Sequence, residues 1–288
     1  MNKLIKENEL DQLLNFIGYG RIDADIWFVG VEEKATSENE IQSRVNFDQV
    51  LDSFEAQEML GVGREEFVRN NFNEAGAGIA KILLMLGEVI PTEKSIQEYL
   101  DHQLGLGTGP ALIASLFPLP MKQDQTWQYQ DSFPQFVSYD DYINSVKQLR
   151  FDLFKELIHF HSPKMVICYG KAGWPLFQEL FGEYNLADSG EFQLGWDANT
   201  VVILADDLNS ENLADKYDEL IKMIKENSLA IDTSTNAGET VLSKSELERQ
   251  QKQAAKQASA AKRKATARHN PADPYCVCAY CLGYESKK

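Results

Sequence analysis

Cysteine is scarce in this 288-residue chain: four residues, three of them within the last 13. So few thiols cannot form a disulfide framework, so a reducing compartment is expected. Long apolar runs are missing too. No stretch approaches the roughly 20 residues that span a bilayer, and the opening MNKLIKENELDQLL is charged and amphipathic, without a signal-peptide core. Cytoplasm is therefore the expected location, with no membrane partner. Positive charge is also short, at 28 Lys and Arg against 44 Asp and Glu, a net of −16. That deficit is uneven: residues 241–288 hold ten basic and four acidic residues, a net of +6, so residues 1–240 carry −22. Phosphates repel an acidic body at long range, which counts against tight non-specific nucleic-acid binding by the body and favours a protein or small-molecule partner for it, while the basic tail offsets this.

What is present is a core. Hydrophobic residues make up 43% of the chain, which excludes disorder for its bulk. Short apolar runs at 25–30, 111–114, 164–169 and 200–204 read as buried strands, and they alternate with helical patterns at 1–17, 75–88, 140–160, 172–181 and 211–227. Further helices are expected around 47–60 and 64–71. Strands alternating with helices predict a three-layer α/β domain, its four-stranded, mainly parallel sheet lying between helices. From about 228 the composition turns polar. Residues 1–228 are expected to form the α/β domain, 229–268 a polar to basic linker or helix, and 269–288 a small Cys/His tail.

Ligands of parallel sheets sit at the carboxyl ends of the strands. The candidate residues are therefore Gly30, Val31, Glu32 and Glu33 after the first strand, and Ser115 and Phe117 after the second. Gly170 and Lys171 follow the third, and Asp206, Asp207, Asn209 and Ser210 the fourth. A carboxylate in such a cleft can orient water or stabilise a cationic transition state. The helix N-terminus after Gly170 can hold a phosphate. Each residue also has a plainer reading: Glu32 and Glu33 as a solvated strand exit, Asn209 and Ser210 as helix caps, Cys168 as buried core. Trp127, Tyr129, Phe133 and Phe136, in the aromatic stretch 121–138, suit base stacking or a loop packing upon itself.

Certain segments resemble the uracil-DNA glycosylase-like superfamily. Gly18-Tyr19-Gly20 followed by Ala24-Asp25-Ile26-Trp27-Phe28-Val29-Gly30 is similar to its first motif, and Asn73–Ile79 to the glycine-containing helix start that follows. Ile113-Ala114-Ser115-Leu116-Phe117-Pro118 takes the place of its base-reading strand end, and Pro163–Ala172 is similar to its P-x-V-I-x-x-G-K-x-A segment. The resemblance spans roughly 15–225. It implies a small parallel sheet between helices, and an enzyme that flips a base from DNA and hydrolyses its N-glycosidic bond. On that analogy Glu32, with Glu33 as the close alternative, takes the catalytic position, and Ser115 the base-reading one. Three features depart from the family. The segment 205–210 has no His or Pro, Ser115 cannot read uracil with a bidentate amide, and the segment between Glu33 and Asn73 is longer than the family's. Together they point to a modified base, such as the glucosylated hydroxymethylcytosine of some phage DNA, and to an anti-phage role. A catalytically inactive nucleic-acid sensor of the same fold, or a nucleotide-binding or small-molecule-binding α/β protein, are the competing expectations.

The tail offers His269, Cys276, Cys278 and Cys281, a set able to hold a structural zinc ion tetrahedrally. Upstream, Lys262, Arg263 and Lys264 lie in a basic run suited to DNA phosphates.

Overall fold

The computed structural model describes residues 5–6, 9–35, 38–72, 75–122, 127–189, 191–197, 199–210 and 216–235. The basic run and the Cys/His tail lie outside these residues. The fold lies within a unit spanning Met1–Ser234.

All four expected strands form, as β2 (Ile26–Ala35), β4 (Ala111–Lys122), β5 (Met165–Tyr169) and β8 (Val201–Ala205). They lie side by side and parallel in the order β4-β2-β5-β8. The sheet is nevertheless not four-stranded. Among the described residues it has eight strands and is mixed, in the order β3-β1-β4-β2-β5-β8-β7-β6. The added strands are β1 (Gly18–Gly20), β3 (Val50–Leu51), β6 (Ala187–Ser189) and β7 (Phe192–Trp196). β1 runs antiparallel to β4, and β7 antiparallel to both β8 and β6. Three of the four are only two or three residues long, too short to leave a hydrophobic period in the sequence. Gly18–Gly20, not expected to form a strand, is one of them, and β3 lies where the start of a helix was expected.

Helices cover both faces. On one side pack α3 (Ser53–Leu60), α4 (Arg64–Asn71), α5 (Ala75–Leu86) and α6 (Glu93–His102). On the other are α1 (Leu10–Asn15), α7 (Tyr139–His161) and α8 (Trp174–Leu180). A short α2 (Glu38–Ser43) follows β2, and α9 (Tyr217–Thr235) joins the first layer through Leu220, Ile221 and Ile224. The central strands alternate between the two cores: Met165 and Ile167 of β5 face the first, Val166 and Cys168 the second. Both faces are buried, so these strands read as continuous apolar runs.

Helix limits follow from local chemistry. α7 opens with a capping box, in which Ser138 Oγ accepts from the Asp141 amide at 3.1 Å and the Ser138 amide donates to Asp141 Oδ2 at 3.0 Å. It closes at Ser162, which is left-handed, before Pro163. α6 opens with a box between Thr92 and Ser95. α9 runs Tyr217–Thr235, the earlier part of the helix expected from 211 lying largely outside the described residues, and it continues through the polar 229–235, which was expected to be linker. Of the helix expected at 1–17, only Leu10–Asn15 is α-helical among the described residues; Ile5, Lys6, Phe16 and Ile17 lie outside any helix.

Two strands run further than the apolar runs predict, and this changes the site. β2 continues through Glu32 and Glu33, so these are strand residues, not a loop exit. β4 continues through Ser115–Pro120 into the expected loop at 121–138. The register slips there, with Glu32 opposite Phe117 but Lys34 opposite Met121. Pro118 and Pro120 fall within that irregularity, where a strand tolerates residues without an amide proton.

Candidate active site

At the carboxyl ends of the parallel strands, Glu33 sits in a sealed polar cluster. It is 4% exposed, Arg44 2%. Arg44 Nη1 lies 2.5 Å from Glu33 Oε2, and Ser115 Oγ donates to Glu33 Oε1 at 3.0 Å. The Tyr19 hydroxyl lies 3.1 Å from both Glu33 Oε2 and Asn71 Oδ1. A second Arg44 nitrogen donates to Asn71 Oδ1, while Asn71 Nδ2 donates to the Phe67 carbonyl at 2.8 Å. β1, β2, β4 and the 3-10 turn Arg44–Asn46 thus meet on one carboxylate, with Asn71 of α4 bonded to two of its partners.

The electrostatics are those of a buried ion pair. Burial opposes the Arg44 charge, but Tyr19 and Glu33 outweigh it and lift the guanidinium above its ordinary value. Burial pushes the Tyr19 phenol well up. Arg44 offsets part of this, and Glu33 adds to it. A carboxylate so neutralised is a poor partner for a sugar cation.

Glu32 is placed differently. It is half-buried, its carboxylate lying near the phenols of Tyr139 and Tyr142. The Tyr139 phenol is raised well above its usual range, first by burial and then by Glu32. Around this pair, Trp127 stacks on Tyr142 at 5.4 Å and meets Tyr139 edge-on at 5.9 Å. Tyr129, Phe133 and Phe136 are fully buried. Most of this aromatic stretch therefore packs on itself, leaving Trp127 and Tyr139 half-exposed.

The remaining predicted residues divide. Gly30 leaves room for the Tyr169 phenol, because a Cβ there would lie 2.7 Å from that hydroxyl. Tyr169, the last residue of β5, feels both Glu33 and Asp207. Val31 is half-buried and packs against Gly173. Phe117 is fully buried, its ring 6.1 Å from that of Tyr142, so it builds core rather than touching substrate as expected. Ser115 is buried, and its hydroxyl proton goes to Glu33. Gly170 has φ +92°, and a Cβ there would lie 3.4 Å from Asp207 Oδ1. Lys171 is exposed, its ammonium 5.5 Å from the Trp174 ring. The Asp207 amide donates to Asp206 Oδ1 at 2.8 Å. Asn209 Oδ1 accepts from Lys81 at 3.3 Å, and the Ser210 amide donates to the Asp207 carbonyl. Neither Asn209 nor Ser210 caps α9, which starts at Tyr217.

Tyr139, Arg44, Asn71 and Tyr169 carry no role in the sequence reading. Tyr169 was within reach of the strand-end rule, one residue before Gly170. Arg44 and Asn71 come from the acidic stretch between Glu33 and Asn73, where no local pattern marks them.

A cleft of about 350 Å³ lies elsewhere, lined by Lys155, His159, Ser162, Tyr184, Asp197 and Thr200 among others. Ser162 and Thr200 precede β5 and β8, so it opens at the amino-terminal edge of the sheet, away from the carboxylates. Among the described residues no group of three or more His, Cys, Asp and Glu is placed to hold a metal ion; His269, Cys276, Cys278 and Cys281 lie outside them. Nor is any described helix long and apolar enough to cross a membrane. No protein-family model, curated protein or solved structure matches the chain.

Proposed function

We propose that this protein is a DNA glycosylase that hydrolyses the N-glycosidic bond of a flipped, modified base, with Glu32 as the catalytic carboxylate. One observation carries the reading. A half-buried carboxylate stands on a central strand of a parallel sheet, at the edge where such sheets take ligands, beside the half-exposed ring of Tyr139. In this reading Glu32 stabilises positive charge developing on the sugar and orients the attacking water. Glu33 does not share that role, since Arg44 compensates its charge; it holds the ends of β1, β2 and β4 together. Ser115, buried with its hydroxyl proton given to Glu33, braces that carboxylate rather than facing a base. The acidic body calls for a separate DNA anchor, and Lys262, Arg263 and Lys264 in the tail supply the charge for it. Glucosylated hydroxymethylcytosine in phage DNA is the substrate we favour, which makes the role anti-phage defence.

The test is abasic-site formation. Full-length protein is incubated with DNA containing uracil, hydroxymethylcytosine or glucosylated hydroxymethylcytosine, then treated with alkali. Strand breaks on a modified substrate, lost in Glu32→Gln, support the reading. Uracil DNA as the best substrate refutes the modified-base specificity. DNA binding without breaks on any substrate favours instead an inactive sensor, a reading that the neutralised Glu33 and the missing His at 205–210 support. Salt-dependent DNA binding that survives deletion of 241–288 removes the tail as anchor.

A further inference from the structure

We infer that Tyr169 reads the flipped base, its phenol hydroxyl donating to a carbonyl oxygen on the base edge, an inference that rests on the glycosylase reading above. Its position follows from the sheet. Ser115 of β4 pairs with Gly30 of β2. The β2–β5 register that sets Val29 beside Cys168 brings Gly30 level with Tyr169, which in turn pairs with Ala205 of β8. These residues form a row across the carboxyl ends of the central strands, the edge where such sheets take ligands. Tyr169 is the large member of the row, and its ring crosses onto the neighbouring strand. A Cβ on Gly30 would lie 2.7 Å from the Tyr169 hydroxyl oxygen, 2.8 Å from Cζ and 3.1 Å from Cε2. The tip of the ring therefore rests on β2 at Gly30, two residues before Glu32 and roughly 7 Å from it along a strand. That is the scale of a pyrimidine with its glycosidic bond.

The hydroxyl is also the free donor of the row. Ser115 is fully engaged: its amide donates to the Ile17 carbonyl at 2.9 Å, its carbonyl accepts from Arg150 at 2.9 Å, and its hydroxyl donates to Glu33. The Ala205 carbonyl accepts from Trp174 Nε1 at 3.0 Å. Among the described residues nothing hydrogen-bonds the Tyr169 hydroxyl, whereas the phenols of Tyr129 and Tyr142 each have a main-chain partner. A half-buried hydroxyl without a protein partner, at a ligand-binding edge, is open to a ligand. Burial, and then the nearby Glu33 and Asp207 charges, keep this phenol protonated at neutral pH, so it remains a donor. A carbonyl oxygen on the base edge is the matching acceptor. As the glycosidic bond breaks, its electron pair passes to the base and negative charge gathers on that oxygen. The hydrogen bond is then stronger in the transition state than in the bound substrate.

The experiment uses full-length protein labelled with 13Cζ-tyrosine, the Tyr169 resonance being assigned by its loss in Tyr169→Phe. Gly30→Ala should move that resonance before any DNA is added, and no movement overturns the packing on β2. The probe is DNA carrying the best-excised base, or glucosylated hydroxymethylcytosine if none is excised. Its sugar is fluorinated next to the anomeric carbon, which opposes the sugar cation and keeps the base attached. This DNA should move the Tyr169 resonance, and the same DNA with plain cytosine should not. No movement, or equal movement with both, overturns the base contact. Tyr169→Phe keeps the ring over Gly30 and removes only the hydroxyl, so kcat/KM should fall roughly tenfold to a hundredfold with urea unfolding unchanged. A wild-type kcat/KM overturns the reading role, and a matching loss of stability makes the hydroxyl structural. If the wild-type protein excises no base, it is the glycosylase reading that fails. The resonance then still decides whether the hydroxyl meets a base.

Discussion

The Glu33 carboxylate and the Arg44 guanidinium meet at 2.5 Å, with side chains 3% and 2% exposed. Desolvating both is expensive, and breaking the pair strands one buried charge. Glu33→Gln should therefore cost about 3–5 kcal/mol of folding stability. Equilibrium urea unfolding measures this. The double variant Glu33→Leu with Arg44→Met should lose less than either single change. A Glu33→Gln protein as stable as wild type would show that the pair holds nothing together.

The neighbouring carboxylate should behave in the opposite way. Glu32 is half-buried with protonated phenols nearby, so Glu32→Gln keeps the shape and strands no buried counter-charge. Its unfolding free energy should change by less than about 1 kcal/mol, while excision disappears. A destabilisation matching that of Glu33→Gln would make Glu32 a structural residue.

Arg150 is fully buried and donates to three main-chain carbonyls, of Leu14 at 2.5 Å, Leu116 at 2.8 Å and Ser115 at 2.9 Å. Burial lowers its pKa to about 10, against a smaller opposing effect of Tyr142, so it stays charged at neutral pH. Arg150→Met fills the space but leaves those oxygens without their donor, and should cost about 3 kcal/mol or more. Arg150→Lys should recover part of this, since an ammonium keeps the charge but lacks the planar fork. Chemical denaturation of both variants checks the order, and equal losses would contradict it.

Gly78 of α5 packs directly on the loop after β8. A Cβ there would lie 2.0 Å from the Leu208 carbonyl oxygen, a backbone atom that cannot swing aside. Gly78→Ala should destabilise the protein by about 1–3 kcal/mol through overpacking. It should also speed amide exchange at Leu208–Ser210. Unchanged exchange there would mean that the helix, rather than the loop, gives way.

His161 lies at the end of α7, 4.9 Å from the Phe160 ring and 6.3 Å from Trp27. Partial burial lowers its pKa, and Asp23 opposes this. The folded state thus resists the proton that the unfolded chain takes up near its ordinary pKa of about 6.5. Above that pH the group is neutral in both states; below it the unfolded state binds more protons, so stability falls as pH falls. His161→Gln should flatten this part of the pH dependence of unfolding between pH 5 and 7.5. Parallel wild-type and variant curves would exclude His161 as the source.

Much of the frame was legible because it follows from local periodicity. The runs around Ile26, Ala111, Met165 and Val201 are apolar because both faces of a parallel strand are covered, and each forms a central strand. The helical pattern at 140–160 forms α7, which stops at the turn residues Ser162 and Pro163, and the strand-end rule led to Glu32, Glu33 and Ser115. The edge strands were not legible. Tyr19 between two glycines and the pair Val50–Leu51 become strands only because a neighbouring strand supplies their hydrogen bonds. α6 also went unread, since of its ten residues only Tyr99 is buried.

From sequence alone come the alternation of strands and helices, the order of candidate segments along the chain, and the separation of an acidic body from a basic tail. Each depends on residues close in the chain, where spacing, propensity and charge act directly. Tertiary structure alone decides that Glu33 is sealed against Arg44 while Glu32 lies near Tyr139. The two glutamates are adjacent and chemically identical. Only the neighbours that distant segments bring to each, 11 residues away for Arg44 and over a hundred for Tyr139, turn one carboxylate into a buried strut and leave the other half-exposed.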